Sequence, residues 1–177
     1  MKNTKAQMSG IVIQNSWGRF YLEASDKGLY RLSFFRSSRE AKRRETSKQP
    51  QKVLLSKARL LLKRYFAGRP VSFTKLPIDD SGFTAFEKKV FRQLSKIRYG
   101  KVQSYAGLAQ SSGSPKAARA VGGTMRKNRL PIILPCHRII GSQGRLGGYS
   151  LGLGWKRSFC GWKGWRGRLK KVLGRKG

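Results

Sequence analysis

The pattern of hydrophobic and polar positions divides the chain into a strand-rich start and a largely helical remainder. Short apolar runs occur at 11–13 and 20–22, apolar residues largely alternate with polar ones at 29–34, and turn sequences separate these segments at 15–18 and 27–28. This spacing predicts β-strands. Residues 36–52 are polar and highly charged, which predicts a loop.

A helical period replaces the alternation from Val53 onward. The predicted helix ends at the Gly-Arg-Pro sequence of residues 68–70, and residues 75–82 have the composition of a linker between domains. The apolar face of this helix comprises Leu54, Ala58, Leu61, Leu62 and Tyr65.

The second half contains clear helix-start signals. Thr84 and Glu87 have the spacing of a capping box, Ser104 caps a short helix, and Gly113 ends that helix. A further helix is predicted from Pro115, with Ser114 as its cap, to about Lys127. Two short helices joined by a glycine turn indicate a helix-turn-helix. The helix that begins after Thr84 is predicted to bury Phe86, Val90, Phe91 and Leu94.

The charge distribution indicates a polyanionic partner. The chain of 177 residues has 40 Lys and Arg against 7 Asp and Glu, a formal net charge of +33. Residues 88–177 contain 22 of the basic residues and no acid. Such a surface attracts nucleic acid, and the binding is expected to be strongly salt-dependent. Charge alone also fits a solvated, generically sticky surface or a generic basic nucleic-acid-binding protein, and it gives no information about chemistry.

Few residues are available for metal or disulfide chemistry. The chain has two cysteines, Cys136 and Cys160, and a single histidine, His137, which cannot complete a four-ligand zinc site. We therefore expect no metal and no cofactor. No export signal and no membrane-spanning apolar run is evident, so we expect a soluble, cytoplasmic protein whose thiols stay reduced.

Chemistry concentrates in the sequence Pro-Cys-His-Arg at 135–138, which follows the short apolar run 132–134. Pro135 restricts the backbone and is expected to present Cys136 at the end of a strand. Neighbouring imidazole and guanidinium groups lower the pKa of a thiol and make it a nucleophile. The same residues also fit a buried, unreactive cysteine beside a structural histidine.

The longer sequence context resembles one family. The runs SPKAARAVGGTMRKN, IILPCHRIIG and GGYS within residues 83–150 closely resemble the O6-alkylguanine-DNA alkyltransferases, or methylated-DNA–protein cysteine methyltransferases. A looser resemblance covers residues 10–82. The family resemblance implies repair of double-stranded DNA that contains O6-alkylguanine, with O4-alkylthymine as an alternative lesion. The repair is one irreversible alkyl transfer to the protein, which is expected to act as a monomer without a cofactor.

The resemblance implies roles for individual residues. Cys136 corresponds to the alkyl acceptor, His137 to the histidine that takes the thiol proton through a water, and Tyr105 to the tyrosine that stabilises the departing guanine. Arg119 corresponds to the arginine that replaces the flipped nucleotide. Basic residues expected to contact phosphates are Lys116, Arg126 and Lys127. Residues expected at the base pocket are Met125, Asn128, Arg138, Ile139, Tyr149 and Ser150.

Three positions depart from the family pattern. Arg129 replaces a common proline after Asn128, and Leu151 replaces a usual glycine. A helix after Ser150 is expected to carry Lys156. The glutamate that polarises the active-site histidine falls on Lys163, and no acid after Glu87 can substitute for it.

The predicted fold class is α/β (α+β). Residues 1–78 form a small N-terminal structural domain of β-sheet plus helix, residues 79–163 a mainly helical catalytic domain with the helix-turn-helix, and residues 164–177 a basic tail. The predicted function is alkyl transfer to Cys136. The alternative is a protein that flags alkylated DNA without removing the alkyl group, because Lys163 replaces the relay glutamate.

Overall fold

A computed structural model describes residues 8–35 and 49–146, together with 149, 155, 156 and 159. The described residues form two compact units that divide between Ser81 and Gly82. The predicted α/β (α+β) class is confirmed, with strands concentrated in the first unit and helices in the second.

The first unit is built on a three-stranded antiparallel sheet in the order β1-β2-β3. The strands are β1 (Ser9–Asn15), β2 (Gly18–Ser25) and β3 (Gly28–Phe35). At the first hairpin the Asn15 side chain accepts a hydrogen bond from the Trp17 amide at 2.8 Å, which stabilises the turn. The strands predicted over residues 11–35 are therefore confirmed.

Helix α1 (Gln49–Phe66) packs against this sheet. It begins before Val53, so the predicted loop ending at residue 52 is wrong at its last four positions. The Gln51 side chain is buried and accepts a hydrogen bond from the Ser9 hydroxyl at 3.3 Å. A polar residue anchored in this way does not contribute to hydrophobic periodicity, which explains the late predicted start.

The buried face of α1 is rotated slightly from the predicted one. Leu55 is fully buried, whereas Leu54 and Leu61 are only half-buried. The Phe66 ring lies 4.7 Å from the Phe20 ring of β2 and extends the core to the end of the helix. The buried face comprises Leu55, Ala58, Leu62, Tyr65 and Phe66.

Residues 77–79 pair with β3 and are not a free linker. The Leu29 amide donates to the Pro77 carbonyl at 2.9 Å, and the Asp79 amide donates to the Leu29 carbonyl at 2.9 Å. A side chain at Gly28 would lie 2.6 Å from the Pro77 oxygen, so glycine permits this approach. The linker prediction for residues 75–82 is therefore wrong at residues 77–79, because amino-acid composition gives no information about backbone pairing.

Within residues 82–146, the second unit has three α-helices and a short parallel pair of strands. The helices are α2 (Ala85–Ser95), α3 (Tyr105–Ser111) and α4 (Ala118–Arg126). Strand β4 (Gln103–Ser104) pairs with β5 (Ile139–Ile140), and this pair brings the segment after Cys136 alongside the start of α3.

The predicted helix caps are confirmed at α2 and α3. Thr84 accepts from the Glu87 amide at 3.3 Å while Glu87 accepts from the Thr84 amide at 2.9 Å, completing the capping box. Ser104 accepts from the Gly107 amide at 3.0 Å. The buried residues of α2 include Val90, Phe91 and Leu94 as predicted, while Phe86 is half-buried.

The helix predicted from Pro115 begins later. Residues 114–117 form a turn in which the Ala117 amide donates to the Ser114 carbonyl at 2.9 Å, and α4 starts at Ala118 without a side-chain cap. Gly113 has the predicted turn geometry, with a φ of 78°. Helices α3 and α4 pack together across this turn as a helix-turn-helix.

Candidate active site

The segment that carries Cys136 is a tight turn and not the predicted strand. The Leu134 amide donates to the Leu130 carbonyl, and the Cys136 amide donates to the Leu134 carbonyl, both at 2.8 Å. Cys136 then opens a 3₁₀ turn, Cys136–Arg138. The expectation that Cys136 lies at the end of a strand is therefore wrong.

Backbone strain lies within this turn. Ile132 has a φ of 77° and is fully buried; among the residues that the structure describes, it is the one non-glycine residue with positive φ. This conformation costs a β-branched residue about 1–3 kcal/mol and persists only where surrounding packing enforces it. Buried neighbours on both sides, Pro131 and Ile133, hold the turn in place.

Asn128 braces the turn from the end of α4. Its amide nitrogen donates to the Leu134 carbonyl at 2.9 Å and to Sγ of Cys136 at 3.0 Å. Its carbonyl oxygen accepts from the Leu130 amide at 2.9 Å. Asn128 is itself buried, so these hydrogen bonds replace those it would make to water. One side chain thus determines where the thiol lies relative to the helix-turn-helix.

Burial dominates the ionisation of Cys136. The thiol is 4% exposed, and loss of solvation raises its pKa to about 11 from an ordinary value of 9.0. The Asn128 hydrogen bond and the Lys156 charge act in the opposite direction with smaller effect. The expectation that the neighbouring cations produce a low pKa at Cys136 is therefore wrong, because desolvation outweighs them.

The Arg138 guanidinium is held by a backbone carbonyl and an aromatic ring. Its guanidinium donates to the Ile97 carbonyl at 2.6 Å and lies 5.7 Å from the centre of the Tyr99 ring. Arg138 is 7% exposed. It therefore ties the active-site turn to the chain after α2.

His137 is held in the neutral form. Its ring is 1% exposed and lies 5.5 Å from the Phe159 ring. Burial lowers the pKa of His137 well below its usual range, and the charges of Arg138 and Lys156 lower it further. Lys156 is fully buried, and its ammonium donates to the Leu146 carbonyl. At neutral pH the imidazole therefore retains a lone pair that can accept a proton, although as a weak base.

A cavity of about 660 Å³ opens at Cys136, within the size range of small-molecule sites. Burial raises the pKa of the Tyr105 phenol, and the nearby Cys136 raises it further, so this phenol is a neutral hydrogen-bond donor. The cavity is lined by Tyr105, Arg119, Gly122, Met125, Arg126, Cys136 and Tyr149.

The cavity brings together some of the predicted pocket residues but not all. Met125 and Tyr149 line it, whereas Asn128, Arg138 and Ile139 are buried and do not line it. Ser150, like Lys163, is outside the described residues. The sequence-based prediction missed Gly122 as a lining residue. Its spacing of three from both Arg119 and Met125 places the three on one helical face, which was the available signal.

Cations surround the helix-turn-helix. Lys116, Arg119 and Arg126 are exposed. Lys127, also predicted to contact phosphate, forms an ion pair with Glu87 at 2.5 Å and remains 62% exposed. Ala120 on the same helix is exposed as well, so the outer surface of α4 combines small side chains with positive charge.

The described residues contain no group of three potential metal-ligating side chains. Within the described part of the chain, no helix has both the length and the apolar character that crossing a bilayer requires.

The pH dependence of thiol modification tests the burial of Cys136. In a Cys160→Ser variant, alkylation of Cys136 by iodoacetamide is expected to accelerate about tenfold per pH unit from about pH 7 to 10, since only the thiolate reacts. The same variant in denaturant should level off near the ordinary thiol pKa of 9.0. A rate for the folded protein that levels off below about pH 8 would contradict a raised thiol pKa.

Family models match both units of the chain. The DNA-binding domain of 6-O-methylguanine DNA methyltransferase matches residues 85–164, and the ribonuclease-like domain of the same family matches residues 11–79. The chain belongs to the 6-O-methylguanine DNA methyltransferase family.

Individual members of this family match at the level of sequence. A constitutive methylated-DNA–protein-cysteine methyltransferase of Bacillus subtilis is 47% identical over 96 residues, which span 54% of this chain and 57% of that protein. A methylated-DNA–protein-cysteine methyltransferase of Methanosarcina barkeri is 37% identical over 142 residues, or 80% of this chain and 88% of that protein.

A solved structure matches nearly the whole chain. The crystal structure of Mycobacterium tuberculosis OGT in complex with DNA aligns with a TM-score of 0.71 and 30% identity, covering 93% of this chain and 97% of that one. The family resemblance predicted from residues 10–150 is therefore confirmed.

Proposed function

We propose that this protein repairs DNA by irreversible, stoichiometric transfer of an alkyl group from O6 of guanine to Sγ of Cys136. The observation that carries the proposal is the cavity in which Cys136 and Tyr105 meet, on a unit that belongs to a DNA-alkyltransferase family. Because the alkyl group cannot reach this thiol inside an intact duplex, the damaged nucleotide is flipped out before transfer.

The transfer exchanges one bond for another. Sγ of Cys136 attacks the alkyl carbon, the bond from that carbon to O6 breaks, and a thioether forms. The electron pair of the broken bond leaves with guanine, which takes up a proton from the Tyr105 phenol. The thiol proton passes through a water to His137, so guanine departs neutral while Tyr105 is left as a phenolate and His137 as an imidazolium. The proton on His137 then passes through water to Tyr105, which restores both residues.

Proton removal is the costly part of this step. With a pKa of about 11, ionising the thiol at neutral pH costs roughly 5 kcal/mol. His137 is neutral and accepts the proton through a water as attack proceeds, which avoids a free thiolate before the substrate arrives. The Asn128 hydrogen bond to Sγ stabilises the negative charge that develops on sulfur.

The exposed cations on and before α4 support an interface with duplex DNA along this helix. We infer that Arg119, at the mouth of the cavity, fills the space vacated by the flipped nucleotide, while Lys116 and Arg126 contact phosphates. Lys127 contributes less, since Glu87 already neutralises it.

The specific lesion is O6-alkylguanine, and we propose that the protein acts as a monomer on chromosomal DNA in the cytoplasm. A lesion-flagging role is not favoured because the acceptor thiol is present.

Mass spectrometry of the intact protein after mixing with an oligonucleotide containing O6-methylguanine tests this proposal. We expect one added methyl group per protein molecule, located on Cys136 after proteolysis, and no further repair once one equivalent of lesion has reacted. An undamaged oligonucleotide is the control. Methyl on Cys160, or repair of several lesions by one molecule, would contradict the proposal.

A further inference from the structure

The residues on both sides of Asn128 are anchored to the start of α2. The Lys127 ammonium lies 2.5 Å from a carboxylate oxygen of Glu87. The Arg129 guanidinium lies 4.4 Å from the centre of the Phe83 ring, within cation–π distance. Asn128 stands between these two anchors and is the residue that hydrogen-bonds Sγ of Cys136.

The α2 side of these contacts is rigid. The Phe83 ring packs on the Phe91 ring at 4.7 Å, and Phe91 belongs to the buried face of α2. Glu87 uses its second carboxylate oxygen to accept from the Thr84 amide at 2.9 Å. The Phe83 ring and the Glu87 carboxylate are therefore held in place by α2 independently of their contacts with residues 127 and 129.

Glu87 is the single acid among residues 82–177, where cations otherwise predominate. It is 5% exposed, and the hydrogen bond from Lys127 lowers its pKa more than any other cause. Glu87 is therefore ionised at neutral pH. Without this carboxylate, the positive charges of Lys127 and Arg129 would be uncompensated. The two side chains would then repel each other and the surrounding cations.

We propose that Phe83, Glu87, Lys127 and Arg129 form a clamp that positions Asn128 and, through it, the Cys136 thiol. The four are positioning residues, since none of them lines the cavity. The proposal rests on the proposed transfer to Cys136 and identifies what determines its rate. Weakening either anchor lets Asn128 move from Sγ, and small displacements of a reacting group reduce rates by up to about 100-fold.

The test measures single-turnover transfer from free O6-benzylguanine, which requires no DNA contact. Glu87→Gln preserves the capping box but removes the charge, and Lys127→Gln removes the partner charge. Each is expected to slow transfer roughly tenfold, with no further loss in the double variant, because both break one interaction. Lys101→Gln, an exposed cation of the same unit, is the matched control and should react as wild type.

The second anchor is tested in parallel. Arg129→Ala should slow transfer roughly tenfold, whereas Arg129→Lys, which retains a cation for Phe83, should recover most of the rate. Arg98→Ala is the matched control at an exposed arginine. If circular dichroism shows that Glu87→Gln does not fold, the Arg129 variants alone test the clamp.

The pH profile of thiol alkylation separates positioning from general loosening. Loss of the Asn128 hydrogen bond is expected to raise the apparent pKa of Cys136 in the clamp variants, since that bond lowers it. A merely loosened interior would admit water and lower the same pKa toward 9.0. Clamp variants that match their controls, or whose thiol pKa falls, would overturn the clamp. A wild-type protein that is not alkylated on Cys136 would instead overturn the proposed function.

Discussion

Replacing Cys136 with serine is expected to abolish alkyl transfer while binding to alkylated DNA persists. The hydroxyl of serine is a far weaker nucleophile than a thiol, and the buried site offers no strong base to ionise it. The loss should exceed the roughly 10²–10⁴-fold that removal of general-base assistance produces. The measurement is single-turnover transfer of a labelled methyl group, with DNA binding followed by fluorescence anisotropy.

Cys160→Ser is the control for this substitution, since it removes the other thiol of the chain. It should transfer at the wild-type rate. Residual transfer in Cys136→Ser, combined with loss of transfer in Cys160→Ser, would move the acceptor to Cys160 and refute the mechanism proposed above.

Replacing Arg119 with alanine is expected to slow repair of duplex DNA about 10- to 100-fold and to leave transfer from free O6-benzylguanine nearly unchanged. Unstacking and unpairing a nucleotide costs a few kcal/mol, and a side chain that occupies the vacated space offsets part of that cost. The free base needs no flipping. Comparing the two substrates in single-turnover assays therefore isolates the contribution of Arg119.

Lys116→Ala is the matched comparison, because Lys116 is an exposed cation before α4 that does not line the cavity. It should weaken binding to damaged and undamaged duplex alike and reduce the salt dependence of both. If Arg119→Ala behaves in the same way, Arg119 is a phosphate contact. Equal losses on the duplex and the free base would show damage to the active site itself.

The thiol chemistry differs from what the local sequence suggests. Adjacent histidine and arginine normally indicate an activated cysteine. Here Arg138 is directed to the Ile97 carbonyl and His137 is buried in the neutral form. We therefore expect the thiol to react more readily with a bound lesion than with thiol reagents in solution.

The sequence by itself determined the class of fold and the family. Strand alternation, the capping box of Thr84 and Glu87, and the turn at Gly113 all predict structure because each acts through neighbours a few residues away. The family resemblance also identified Cys136 and Tyr105, and the structure brings both to one cavity.

The tertiary structure alone decided the chemical state of the site. The pKa of Cys136 depends on desolvation by residues distant in the chain, which no local pattern records. The pairing of Lys127 with Glu87 joins positions 40 residues apart and partly neutralises a cation that the sequence predicted to contact phosphate. Electrostatics and burial are sums over spatial neighbours, so they follow from packing and not from residue order.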